Sequence, residues 1–253
     1  MTGRAVANEF AKMRRLRTAP ALIALVLGVT VLTCGTALSS PGFTDSAGDA
    51  SPHSWRVLLG SMGIAVPLVS PVLIAVMASR QVDIEHRGNG WTLAHASGVA
   101  PGALCRAKFA STGALVAAAV LAHSGLVVAF GRLVGITAPV PAGPWLGYTA
   151  WVTVVGLALL ALHLLLAAWV PNQLVGLGIA VMGVFAALSS AGMPDRLAFL
   201  LPPWGYYGPA VPVGYRDGAL VALTPPHLAA LLLAAGAGAL FLSATRRFDR
   251  QEA

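Results

Sequence analysis

Six apolar stretches, each about 20 residues long, alternate with shorter polar connections along the chain. They lie near 19–39, 57–79, 109–131, 146–170, 173–191 and 227–244. A helix rises 1.5 Å per residue, so about 20 residues cross a hydrocarbon core of roughly 30 Å. The pattern predicts an all-α polytopic membrane protein with six transmembrane helices in one domain covering 1–253. Pro67 and Pro71 inside the second stretch predict a kink, with neighbouring helices satisfying the freed carbonyls. Gly176, Gly178 and Gly183 in the fifth span, and Gly236 and Gly238 in the sixth, permit close helix approach. The connection PNQ at 171–173 is so short that spans four and five are expected to be antiparallel neighbours.

Three polar segments break the apolar pattern. In the arm at 1–18, Val6, Phe10, Met13 and Leu16 recur at helical spacing among basic residues. This predicts a short amphipathic helix at the membrane interface, with Phe10 and Met13 toward lipid and Arg14 and Arg15 toward headgroups. The loop at 80–108 holds DIEHRGNGWTLAHASGVAP, a charged helical fragment punctuated by Gly88, Gly90, Gly98 and Pro101. The segment at 192–226 is too apolar for a solvated loop and too rich in proline for a span. It predicts a re-entrant or interfacial piece between spans five and six, with Trp204, Tyr206, Tyr207 and Tyr215 at headgroup depth.

Composition supports the membrane reading. The chain is 57% hydrophobic and 10% charged, against about 25% charged in soluble domains. A net charge of +7 does not indicate nucleic acid, because the basic residues flank the apolar stretches. Twelve of the sixteen lie in the N-terminal arm, the 80–108 loop and the C-terminal tail. The positive-inside rule then places both termini and that loop in the cytoplasm. Trp55, Trp145, Trp151 and Trp204 are expected in an outer aromatic belt, Trp169 in the inner one. The first span is expected to be retained rather than cleaved as a leader, because its apolar run is long for a signal peptide. Arg132 is expected to pair with Asp195 or Asp217 at the outer interface.

Chemistry of the chain's own is scarce. Neither lysine, Lys12 or Lys108, follows a glycine, so no Walker A loop exists, and nucleotide binding by this chain is not expected. His86 and His95 are nine residues apart and fall on opposite sides of a helix, which argues against a metal site. Cys34 and Cys105 lie at different depths, which argues against a disulfide. Span three holds AHSG at 122–125 and span four holds His163. Serine with an intramembrane histidine leaves an intramembrane-protease-like reading open, and a non-transporting membrane protein is a further alternative. His123 and His163 are candidate pathway residues, because ionisable groups inside a bilayer face a cavity or a partner.

The arm NEFAKMRRLRT, the segment EHRGNGWTLAHASGVAPGALCRAKF and the six-span layout together resemble the permease subunits of ABC-2-type transporters. The likeness is to the lantibiotic-immunity and bacitracin-resistance-like group in particular. The resemblance implies that the loop between spans two and three carries a coupling helix that enters a groove on a separate ATPase. Asp83, Glu85, His86, Arg87, Gly90, Trp91, Leu93 and Lys108 map to that coupling segment. It further implies an ATP-driven exporter of an amphipathic or hydrophobic compound, such as an antimicrobial peptide or drug. Two ATPase copies would hold ATP and Mg, and a second permease, identical or distinct, would complete the pathway.

Overall fold

The computed structural model of the chain describes residues 3–15, 18–216 and 218–251. Leu16, Arg17 and Asp217, invoked above, lie outside the described residues, as does the side chain of Arg15.

Helix α1 (Gly3–Arg15) is followed by the six spanning helices, α2 (Thr18–Leu38), α3 (His53–Arg87), α5 (Pro101–Leu133), α6 (Ala142–Trp169), α7 (Gln173–Ser189) and α10 (His227–Gln251). Each of these six is long and apolar enough to cross a membrane. Between α3 and α5 sits the short α4 (Gly90–Ala96). Between α7 and α10 lie two one-turn helices, α8 (Asp195–Ala198) and α9 (Tyr207–Ala210), then β1 (Val213–Arg216) and β2 (Ala219–Ala222). The strands form an antiparallel hairpin in which Val213 faces Ala222. Its turn contains Gly218 at φ +77°, a conformation that glycine reaches without steric cost. The hairpin is an addition to the all-α expectation.

Helices α3 and α6 form the centre, with more than half of their apolar windows buried, and the other spans surround them. Helix α3 has 35 residues and continues unbroken through Pro67 and Pro71. At 1.5 Å per residue it is about 52 Å long, well beyond a core of roughly 30 Å. Its last two turns therefore carry Asp83, Glu85 and Arg87 out of the apolar zone. The helix stops at Gly88, and Asn89 adopts the left-handed region at φ 49°. Pro101 then opens α5, preceded by an extended Ala100, as a residue before proline must be. These breaks detach α4 as a separate element.

Two expected placements differ. Helix α7 packs chiefly on α3 and only lightly on α6, despite the three-residue link. Its buried residues are small: Ala180, Val184 and Ala187, with Gly183 leaving room for the Trp204 indole. Trp55, Trp145 and Trp151 are enclosed in the bundle rather than arrayed as a belt. Each indole N–H has an internal acceptor, Ala138 O at 2.9 Å, Ser124 Oγ at 2.8 Å and Tyr206 O at 2.8 Å respectively. A buried tryptophan needs that partner, and loop carbonyls at this end of the bundle supply two of the three. Trp169 is 61% exposed at the opposite end.

The segment after α7 folds back onto the bundle. Tyr207 is buried, and Val211 packs against Gly63 so closely that a Cβ there would come within 3.1 Å of Val211 Cγ1. Gly63 lies ten residues, about 15 Å, along α3 from its first residue. Arg132 does not pair with Asp195. Its guanidinium donates to Ile136 O at 2.8 Å and Ala138 O at 3.0 Å, and lies 5.2 Å from the centroid of the Trp55 ring. The carbonyls of the loop after α5 take its donors, and no carboxylate among the described residues does.

Candidate functional site

Four charged side chains meet where α1, α3 and α5 converge. Lys108 Nζ donates to Glu9 Oε2 at 2.7 Å and to Glu85 Oε1 at 2.6 Å. Lys12 Nζ donates to Glu9 Oε1 at 2.8 Å and to the same Glu85 oxygen at 2.6 Å. The result is a closed ring of alternating charge with no net charge. Lys108, Glu9 and Glu85 are essentially inaccessible, while Lys12 is 35% exposed at the rim. Burial alone would lower the pKa of the Lys12 ammonium, but hydrogen bonds and charge from Glu85 and Glu9 outweigh it and raise the pKa. Charges taken out of water persist only when paired and hydrogen-bonded, and here every one is.

Glu9 and Lys12 are the members that sequence reasoning missed. They face the same way because three residues separate them on one helix. A signal was present: Lys12 and Lys108 are the chain's only lysines, beside fourteen arginines. A compact ammonium fits between two carboxylates where a planar guanidinium would not. The ring also divides the expected lipid face of α1. Met13 is buried and Phe10 is 41% exposed, while Arg14 points to solvent.

Helix α4 rests on this ring. A Cβ at Gly90 would collide with the Glu85 carboxylate, whose Cδ would be 2.9 Å away. Only glycine lets α4 sit there. Trp91 is half-buried, 6.0 Å from the His86 ring. His86 Nε2 in turn donates to Ala167 O at 3.1 Å, fastening the end of α3 to the end of α6. Leu93 stands 70% exposed, and Thr92, His95 and Ala96 are exposed beside it. Asp83 pairs with Arg87 at 2.8 Å on the surface of α3. The predicted coupling residues therefore separate into two sets. Leu93 and Arg87 are presented outward, and Glu85 and Lys108 are internal. Arg106 and Asp249 pair at 3.0 Å, tying the start of α5 to the end of α10 on the same side of the molecule.

The two intramembrane histidines have different settings. Thr30 Oγ1 gives its one proton to Val26 O at 2.7 Å, so it accepts from His123 Nδ1 at 3.0 Å. This leaves His123 Nε2 as a bare acceptor, buried and without a partner among the described residues. His123 lines a cavity of about 60 Å³ with Ser70, Tyr148 and Thr149 and apolar side chains of α2, α3, α5 and α6. His163 is equally buried, with Nε2 unpartnered, but does not line this cavity. Ser124 is engaged by Trp145 Nε1 and Thr149 Oγ1, each at 2.8 Å. No histidine reaches it among the described residues, so no nucleophile–base pair forms there. Nor do three His, Cys, Asp or Glu side chains gather into a metal-binding group among the described residues.

Residues 5–187 match the family described as ABC-2 family transporter protein. The matched stretch contains the whole charge ring, α4 and both histidines. No curated protein matches the chain.

Proposed function

We propose that this chain, which belongs to the ABC-2 family of transporter proteins, is a permease that couples through α4 to a separate ATPase and moves its cargo outward. As a permease it is a transport component of the membrane and not itself a catalyst. The observation that carries the coupling is the exposed α4, seated through Gly90 on a buried charge ring that joins α1, α3 and α5. An ATPase groove would receive Leu93 and its exposed neighbours. Closure of two ATPase copies around ATP and Mg would push α4 against Glu85. The ring would then pass that displacement to α1 and α5 together. Apolar packing would hold three helices at least as well as three buried charges and a fourth at the rim. Charges that can exchange partners suit an element with two arrangements.

Two permeases, identical or distinct, would enclose the pathway, because one six-helix chain is half of it. Twelve basic residues flank the spans on one side, which supports cytoplasmic termini and a cytoplasmic α4 in a bacterial plasma membrane. The cargo is read as an amphipathic or hydrophobic compound, of the kind handled in lantibiotic immunity or bacitracin resistance. His123, with its bare Nε2 in a cavity, is the better pathway candidate of the two histidines. Engagement of Ser124 by Trp145 and Thr149 weighs against the protease-like alternative.

The test is copurification from the native cell. The wild-type chain should bring down a protein carrying Walker motifs, and Leu93→Asp should lose it while still inserting in the membrane. Undiminished copurification with Leu93→Asp removes α4 as the docking element. Failure of the wild type to retain any ATPase favours a non-transporting membrane protein.

A further inference from the structure

A groove runs between α6 and α10 on the outside of the bundle, with a volume of about 750 Å³. Its walls are apolar, formed by Leu162 and Leu165 of α6 and by Leu233, Leu240 and Phe241 of α10. Pro202, Pro203 and Tyr206 close one end. Trp169, Arg247 and Phe248 close the other, with the Trp169 and Phe248 rings edge-on at 5.7 Å. Along α10 the lining runs from Leu232 to Phe248, about 24 Å at the helical rise. One leaflet of hydrocarbon is about 15 Å thick, so the groove is long enough to take the acyl chain of a lipid from one leaflet.

The Arg247 end carries the chemistry. Arg247 is exposed and has no carboxylate partner among the described residues. The one acid nearby on α10, Asp249, is turned to α5 and held by Arg106 and by the backbone N–H of Ala103 at 3.2 Å. Arg246 and Arg250 add positive charge at this helix end. A guanidinium offers paired donors that match a phosphate. An exposed tryptophan beside it marks headgroup depth.

We infer that this groove binds one anionic phospholipid, its acyl chain between α6 and α10 and its phosphate on Arg247. Free phosphate would have no use for the apolar walls, and in a zwitterionic lipid the headgroup ammonium offsets part of the attraction between phosphate and guanidinium, which an anionic lipid keeps in full. The occupant comes from the leaflet on the arginine-rich side of the molecule. The site is separate from α4 and from the His123 cavity, so it stands whatever the cargo is.

The full-length chain, purified in a neutral detergent, is incubated with equal amounts of phosphatidylglycerol and phosphatidylethanolamine, and bound lipid is counted by native mass spectrometry. The wild type should retain phosphatidylglycerol in preference. Arg247→Gln should reduce that preference about fivefold, the worth of one basic residue at a membrane surface. Gly236 lines the groove and has no atom within 4 Å of an added Cβ. Gly236→Leu should therefore obstruct the groove without disturbing the fold and lower retention of both lipids. Arg246→Gln, off the groove, should leave the preference intact. Unchanged preference in Arg247→Gln overturns the inference. So does an equal fall in Arg246→Gln, which would mean diffuse surface charge. A shift of Gly236→Leu from dimer to monomer with lipid retention unchanged would also overturn it, assigning this face to a second copy.

Discussion

Lys108 is wholly enclosed, yet its ammonium lies between two carboxylates, Glu9 at 2.7 Å and Glu85 at 2.6 Å. Removing it alone leaves two buried acids sharing the half-exposed Lys12. Lys108→Met should destabilise the chain by about 3–5 kcal/mol, read as a fall in the midpoint of denaturant unfolding in detergent. Adding Glu85→Gln leaves Glu9 and Lys12 as a neutral pair and should recover much of the loss. A double variant no better than the single would show that the ring is not a coupled unit. Its members were only partly legible beforehand. Glu85 and Lys108 stood out as charges beside apolar spans, but their partners Glu9 and Lys12 lie 99 and 73 residues away from them in sequence. Nothing in a linear pattern tells which face of α1 meets which helix. The tryptophans mislead for a related reason. Sequence marks them as amphipathic, whereas internal acceptors such as Ala138 O decide whether they sit at the interface or inside.

Among the elements, α4 was the most legible. Glycines at 88 and 90, the asparagine between them and Pro101 announced a detached helix, because each disfavours continuation of a right-handed turn. The use of Gly90 was hidden until α4 was set against Glu85. Gly90→Ala forces the two apart, at a cost of about 1–3 kcal/mol. The ATPase should still bind through Leu93, while hydrolysis no longer drives transport. Transport at the wild-type level in Gly90→Ala would mean that α4 moves independently of the ring. The hairpin of β1 and β2 escaped notice although Asp-Gly at 217–218 is a turn signal. Its strands, four residues each, are too short to show a period.

At the scale of the molecule, the six spans were legible because bilayer thickness sets helix length directly, and each observed helix covers most of its expected stretch. Packing order was not, since the short link before α7 limits distance but not direction, and α7 turns to α3. Sidedness is testable with single cysteines in a chain lacking Cys34 and Cys105. Leu93→Cys should react with an impermeant reagent only from the cytoplasm, and Tyr215→Cys, at a position 79% exposed, only from outside. Labelling of both from one face would overturn the topology. The charge ring, finally, sets an order on the making of the protein. Helix α1 leaves the ribosome first, but Lys108 follows Glu9 by 99 residues, roughly 5 to 20 seconds of synthesis. Until Glu85 is made Glu9 and Lys12 have only each other, and the first two spans must be placed before α1 can seat. A nascent chain stalled short of residue 108 would carry an undocked amino terminus, open to proteases and to chaperones. The ring can thus close only after the first two of the six spans have been made.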